Sequence, residues 1–174
     1  MEIQEFSAGI RYATAAITDK KAFLSRVHAA TDRHRTRIVC FDADKIAGRR
    51  HAEKALVLAH RAESEGTMIA NSFEMEALLY AAGTRQCSIA VPFGIHEGEN
   101  RLYVCCCPDV PAAWQDLAAC MAFVPEPPQD LSLEKAARLA RLFDITPDEI
   151  AAAGGAERLT DLVLERVALL EVSK

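Results

Sequence analysis

Pro125-Glu126-Pro127-Pro128 is the only break in composition along this chain, and it separates two kinds of sequence. Proline fixes φ and lacks an N–H, so three in four residues make a stiff connector that neither helix nor central strand can run through. Before it, short β-branched and aromatic segments alternate with segments of helical period. After it, only helical periods occur. The expectation is therefore an α/β (α+β) protein: a small mixed or antiparallel sheet of four or five strands with packed helices, followed by an all-helical C-terminal third. With 174 residues, 51% of them hydrophobic and 26% charged, the chain can bury a real core, and we expect a single domain over 1–174.

Ile3 to Ala16 carries Ile3, Phe6, Ile10, Tyr12 and Thr14 in strand-like spacing, with an irregularity at Ser7-Ala8-Gly9. Asp19 is placed to cap a helix bearing Phe23, Leu24, Val27 and Ala30. Arg37 to Phe41 reads as a short buried strand closed by the turn Asp42-Ala43-Asp44. A second helix from about Gly48 to Ser64 has Ala52, Ala55, Leu56, Ala59 and Ala62 on its apolar side. A third is expected from the N-cap Asn71, with Glu74 as its capping-box partner, to Gly83; its apolar face would hold Met75, Leu78, Leu79 and Ala82. Gln86 to Val91 and Arg101 to Cys107 are strand candidates that Gly94, Gly98 and Asn100 would join as a hairpin.

Trp114 to Met121, Leu131 to Phe143, Pro147 to Ala153 behind the cap Thr146, and Ala156 to Val172 complete the helices. The last is apolar around too much of its circumference. Leu159, Val163, Val167 and Leu170 make one stripe, and Leu162, Leu164 and Leu169 widen it. Such a helix is either central to the core or holds one side for a partner.

Charge and cysteine usage narrow the function. No apolar run reaches the ~18 residues of a membrane span, and the start Met1-Glu2-Ile3-Gln4-Glu5 is acidic where a secretory signal is basic, so a cytoplasmic protein without membrane contact is expected. Its six cysteines should then be reduced thiols, and Cys105-Cys106-Cys107 reads as the end of a buried strand rather than a zinc site. The net charge of −5 hides an asymmetry: Arg33 to Arg61 carries +5 from eight basic and three acidic residues, which leaves −10 elsewhere. An anionic partner would meet the protein there. Arg49, Arg50, His51 and Lys54, near a helix N-terminus, are the candidate phosphate contacts. Asp42 and Asp44 suit either a metal or acid–base pair or simply a turn. No nucleophile elbow, Walker loop, dinucleotide fingerprint or zincin motif is present, which weakens any enzymatic reading.

One run is more specific. Ile69-Ala70-Asn71-Ser72-Phe73-Glu74-Met75-Glu76 followed by Ala81-Ala82-Gly83-Thr84-Arg85-Gln86 closely resembles the core motif of the smallest conserved subunit of the KEOPS complex, the TPRKB-like kinase-binding family. Asp42 to Gly48 with His51 and Ala55 is similar to a second family segment, and Arg158 to Glu171 to its last helix. Together the three cover most of the chain from Phe41 onward.

The resemblance, to the archaeal-type members, implies a non-enzymatic subunit in tRNA threonylcarbamoyladenosine modification. Such a subunit binds the small kinase/ATPase subunit and captures tRNA by its single-stranded CCA tail, with no metal and no cofactor. On that reading Met75, Leu79, Phe93 and Gly94, with the spare face of the last helix, are candidate kinase contacts; Met75 and Leu79 suit core packing equally well. Arg49, Arg50, His51, Lys54, Asn71, Phe73, Arg85 and Gln86 are candidate RNA contacts, since reading a single strand needs cations, stacking surfaces and base-edge hydrogen bonds. The chain departs from the shorter archaeal pattern in its triple-cysteine strand and in an enlarged Pro108 to Ala153 region. The alternative is a small enzyme or binding protein acting on a phosphorylated metabolite through the His51/Lys54 helix.

Overall fold

The computed structural model describes residues 6–128 and 132–173. The expected strand positions at Ile3 to Glu5 and the expected helix start at Leu131 lie outside the described residues. The chain divides into two compact units. One comprises the residues up to Asp42 together with Gly94–Glu126; the other comprises Ala43–Phe93 and the residues from Pro127 onward. Among the described residues, no helix is long and apolar enough to cross a membrane.

The first unit is a four-stranded antiparallel sheet in the order β2-β3-β1-β4, made of β1 (Gly9–Ile17), β2 (Arg37–Asp42), β3 (Gly98–Cys107) and β4 (Ala122–Phe123). β1 and β3 pair along their whole lengths, from Gly9 opposite Cys106 to Ile17 opposite Gly98. Period-two alternation puts Ala13, Ala15 and Ile17 of β1 on one face with Leu102, Val104 and Cys106 of β3 and Ile38 of β2. Two helices supply the other half of that core: α1 (Lys20–His34) through Phe23, Val27 and Ala30, and α5 (Pro111–Leu117) through Ala113, Trp114 and Leu117. Asp19 caps α1 as expected, its carboxylate accepting from the Ala22 N–H at 3.0 Å.

The sequence expectation fails at one pairing. Gln86 to Val91 is not a strand: Cys87–Ala90 is a helical turn (α4) and Val91–Phe93 a 3-10 turn, so there is no hairpin to β3. β3 pairs instead with β1 and β2, which lie far from it in sequence. Short apolar runs do not separate strand from helix by periodicity, and strand pairing at long range leaves no local signal.

The second unit is helical. It contains α2 (Arg49–Glu65), α3 (Phe73–Ala82), α4, α6 (Leu133–Leu142), α7 (Pro147–Ala153), a 3-10 turn at Ala156–Arg158, and α8 (Leu159–Ser173). The small apolar side of α2 is buried as read: Ala52, Ala55, Leu56, Ala59 and Ala62 are all sealed from solvent. Thr146 caps α7, accepting from Glu149 N–H at 3.1 Å. α3 ends at Gly83, whose φ of 63° is the left-handed conformation that favours glycine at a helix end.

Candidate functional site

The motif segment is built differently from its sequence reading. Ser72, not Asn71, is the N-cap of α3, its hydroxyl accepting from Met75 N–H at 3.2 Å. The carboxylate that reaches back belongs to Glu76 rather than Glu74. It accepts from Ile69 N–H at 3.0 Å and Ala70 N–H at 2.8 Å, and its side chain is fully buried. A buried carboxylate that accepts main-chain N–H bonds is stable, because those bonds replace the water it has lost. Glu76 thus ties the Ile69-Ala70 backbone to the helix, which leaves Ile69, Asn71 and Ser72 at the surface. Its spacing was the missed signal: Phe73, Glu76, Ala77 and Tyr80 repeat at i, i+3, i+4, i+7 and form the buried face. Met75 and Leu78, expected on that face, are only half-buried.

His51 is corrected more sharply. The candidate phosphate contact is completely enclosed in the helical unit. Its Nδ1 accepts from Ala47 N–H at 2.9 Å, which leaves the proton on Nε2 to donate to Ala81 C=O at 2.8 Å. The second bond satisfies a carbonyl at the C-terminal end of α3 that has no partner within its own helix. The Phe143 ring stands edge-on at 5.5 Å. Burial pulls the imidazole's pKa down to about 4, with the Ala81 contact opposing, so His51 is neutral at physiological pH. It joins α2 to α3 and presents nothing to a ligand. A phosphate site on His51 with Lys54 is therefore not formed: Lys54 is partly exposed on α2 beside Arg50 and Glu53, while the histidine is sealed.

Three more expected contacts are core residues. Leu79 is fully buried in α3, Phe73 is 4% exposed, and Phe93 packs edge-to-face on Phe143 at 5.9 Å. Gly94 is buried as well. A base cannot stack on Phe73, and a partner cannot reach Leu79 or Phe93 without unfolding the structure. The accessible members of the expected RNA set are Arg50, Asn71, Arg85 and Gln86, with Arg49 and Lys54 half-buried. Among the described residues, no group of three or more His, Cys, Asp or Glu side chains is placed to hold a metal ion. Burial pushes the Cys106 thiol up to about 12, which keeps it protonated. Asp42 is buried at the end of β2, 3.8 Å from His96 Nδ1.

The surface feature that stands out lies on α8. Leu159, Leu162, Val163, Val167 and Leu170 are buried, so one side of the helix is core. Leu169 and Val172 point outward with 56% and 82% of their surface exposed, and Leu142 at the end of α6 adds a third large side chain at 41%. These three border one shallow groove floored by Ala82, Gly83, Phe143 and Leu170 and edged by Asp144 and Arg166. Arg166 bonds Phe143 C=O at 3.3 Å and Glu149 Oε2 at 2.6 Å, fixing α8 to the α6–α7 turn. Tyr80 O–H donates to Glu171 Oε2 at 2.6 Å and ties the last turn of α8 to α3. The groove is an apolar surface with a charged rim.

A family model described as kinase binding protein CGI-121 matches residues 15–171. The chain belongs to the CGI-121 family of kinase-binding proteins. No curated protein matches it significantly. The CGI-121 match spans both units and includes the motif segment, the buried His51 and all of α8 except its last residues.

Proposed function

We propose that this chain is a non-catalytic, KEOPS-type subunit in tRNA threonylcarbamoyladenosine modification, which binds and regulates the kinase/ATPase subunit and recruits tRNA through its CCA tail. The observation that carries the kinase part is the groove bordered by Leu142, Leu169 and Val172 in a chain of a kinase-binding family. Isolated exposed leucines are ordinary, but three large apolar side chains around one groove mark a surface that association would bury. Half-buried Met75 is the remaining candidate from the motif helix; Leu79, Phe93 and Gly94 serve the core.

Support for the RNA part is chemical. Arg85, Gln86 and Asn71 are exposed around the motif, and Arg50, Arg49 and Lys54 lie on the outer side of α2. Guanidinium and amide groups suit phosphates and base edges, and in an acidic protein such contacts make affinity strongly salt-dependent. The metabolite reading loses its central residue with the burial of His51.

The test mixes the purified chain with the KEOPS kinase of the same genome and follows size-exclusion with light scattering, then measures tRNA binding with and without the CCA tail. A stoichiometric complex and a tail-dependent gain in RNA affinity are expected. Two separate folded peaks would refute the kinase assignment, and equal affinity for both RNAs would refute tail recognition.

A further inference from the structure

A different surface, on the sheet unit, has no place in that reading. β4 pairs with only Ala13 and Thr14 of the nine-residue β1, with one further bond from Val124 N–H to Tyr12 C=O at 3.1 Å. That bond fixes the parity of the strand. The main-chain groups of Tyr12, Thr14 and Ala16 face the β4 side, and those of the residues between them face β3. Continuing the β4 register would place residue 120 opposite Ala16, but there the chain has turned away: Cys120 N–H and Met121 N–H both bond Leu117 C=O, at 3.0 and 3.1 Å. Ala16 is exposed, and among the described residues no bond from its outward N–H or C=O is found. Free edges are usually guarded by a lysine, a proline or a bulge. Ala15-Ala16-Ile17 carries none of these.

A groove opens where β4 stops, between this edge and the α5–β4 connection, with the first turns of α1 along it. Asp19, Arg26 and Glu99 line it, all exposed; the Asp19 carboxylate is engaged as the cap of α1, accepting from Ala22 N–H, whereas neither Arg26 nor Glu99 makes an ion pair among the described residues. Arg26 and Glu99 belong to opposite sides of the sheet. α1 packs on the Ala13–Ala15–Ile17 face, whereas Glu99 stands directly opposite Ala16 and shares the alternate face.

We propose that this edge is a docking site for an extended peptide segment of a protein partner, which adds as a short strand beside Ala16 and carries an acidic side chain toward Arg26. The unmet backbone donor and acceptor select an extended main chain, and alternate side chains of such a strand meet Arg26 on one face and Glu99 on the other. An acidic residue on the α1 face and a neutral or basic one at the next position complement the two charges. A site with so few main-chain bonds holds its segment weakly and exchanges it fast.

The test selects random twelve-residue peptides by display on the whole chain and measures the recovered sequences as free peptides, without any kinase or RNA. Three outcomes are expected: enrichment of an acidic position, slowed hydrogen exchange at the Ala16 amide on binding, and affinity lowered about five- to tenfold by Ala16→Pro, which removes one donor from the edge without touching the β3 ladder. Because Arg26 is exposed, Arg26→Glu keeps the fold and should turn the selected preference from acidic to basic peptides. Failure to recover any peptide, or recovered peptides indifferent to both substitutions, would overturn the proposal. So would concentration-dependent self-association that excludes peptides from the edge, since a second copy would then be the occupant.

Discussion

The two units solve the same packing problem with different bonds. In the sheet unit, main-chain ladders join elements distant in sequence, β1 to β3 and β3 to β2. Among the described residues its polar side-chain bonds include local ones, such as Asn100 closing its own turn onto His96 and Gly98, and long-range ones that join α1 to α5, from Arg33 and His34 to Asp116. In the helical unit every main-chain bond of an α-helix stays inside that helix, and only side chains can tie one helix to another. Among the described residues its long-range polar contacts include buried or half-buried bridges: His51 to Ala81 C=O, Tyr80 to Glu171, Arg166 to Glu149, and Arg138 to Asp44 C=O at 3.1 Å. A polar residue on the apolar stripe of a helix in such a unit is a joint rather than a ligand contact.

The sharpest way to break this comparison is to remove a joint. His51→Ala should cost about 4 kcal/mol in urea unfolding, because it opens a cavity and also strands the Ala47 N–H and the Ala81 C=O. Loss of under about 1 kcal/mol would show that water replaces the ring and that the histidine joins nothing. In the sheet unit the comparable substitution is purely apolar. Leu102→Ala, at a fully buried β3 position, should cost about 3 kcal/mol by cavity formation alone and leave strand pairing intact in backbone amide exchange.

The joint also predicts a pH dependence. The folded pKa of His51, about 4, lies below the ordinary 6.5, so between these values the unfolded chain binds the extra proton. Stability from this group is complete above about pH 6.5 and falls as pH drops toward 4, by about 3 kcal/mol in total. His51→Gln keeps a side-chain donor and acceptor but does not titrate, and should flatten that part of the stability–pH curve. An unchanged slope in the variant would assign the acid sensitivity elsewhere. The smallest effect is expected for Tyr80→Phe, which keeps the ring and removes one hydrogen bond to a carboxylate. A cost of about 1–2 kcal/mol in urea unfolding is expected, with α8 amides near Glu171 exchanging faster; no change in those amides would mean that α8 is held by packing alone.

How legible all this was depended on whether the deciding signal was local. Asp19, Thr146, Gly83 and the alanine face of α2 were readable because caps and helical periods lie within a few residues. The α+β class was readable for the same reason. Residues 86–91 were misread because four apolar-leaning residues fit either period, and β3 finds its neighbours through contacts far along the chain. Of the proposed site, the spare side of the last helix was visible as excess apolar residues, though which of them face out depended on packing: Leu162 went inward and Leu169 outward. At His51 charge suggested a ligand contact where position decides otherwise, and Glu76 was passed over for Glu74. His51 falls in register with Ala55, Leu58 and Ala62, and Glu76 with Phe73 and Tyr80, so each polar group lies on a buried stripe.

The α8 groove is the kinase-binding face proposed for this chain. The most direct measurement titrates the KEOPS kinase of the same genome against the wild-type chain and against Leu169→Glu/Val172→Glu, with circular dichroism confirming that both are folded. A loss of affinity of at least about a hundredfold is expected in the variant, because two exposed anchors become buried charges at the interface. Equal affinity for the folded variant and the wild type would place the kinase elsewhere on the surface.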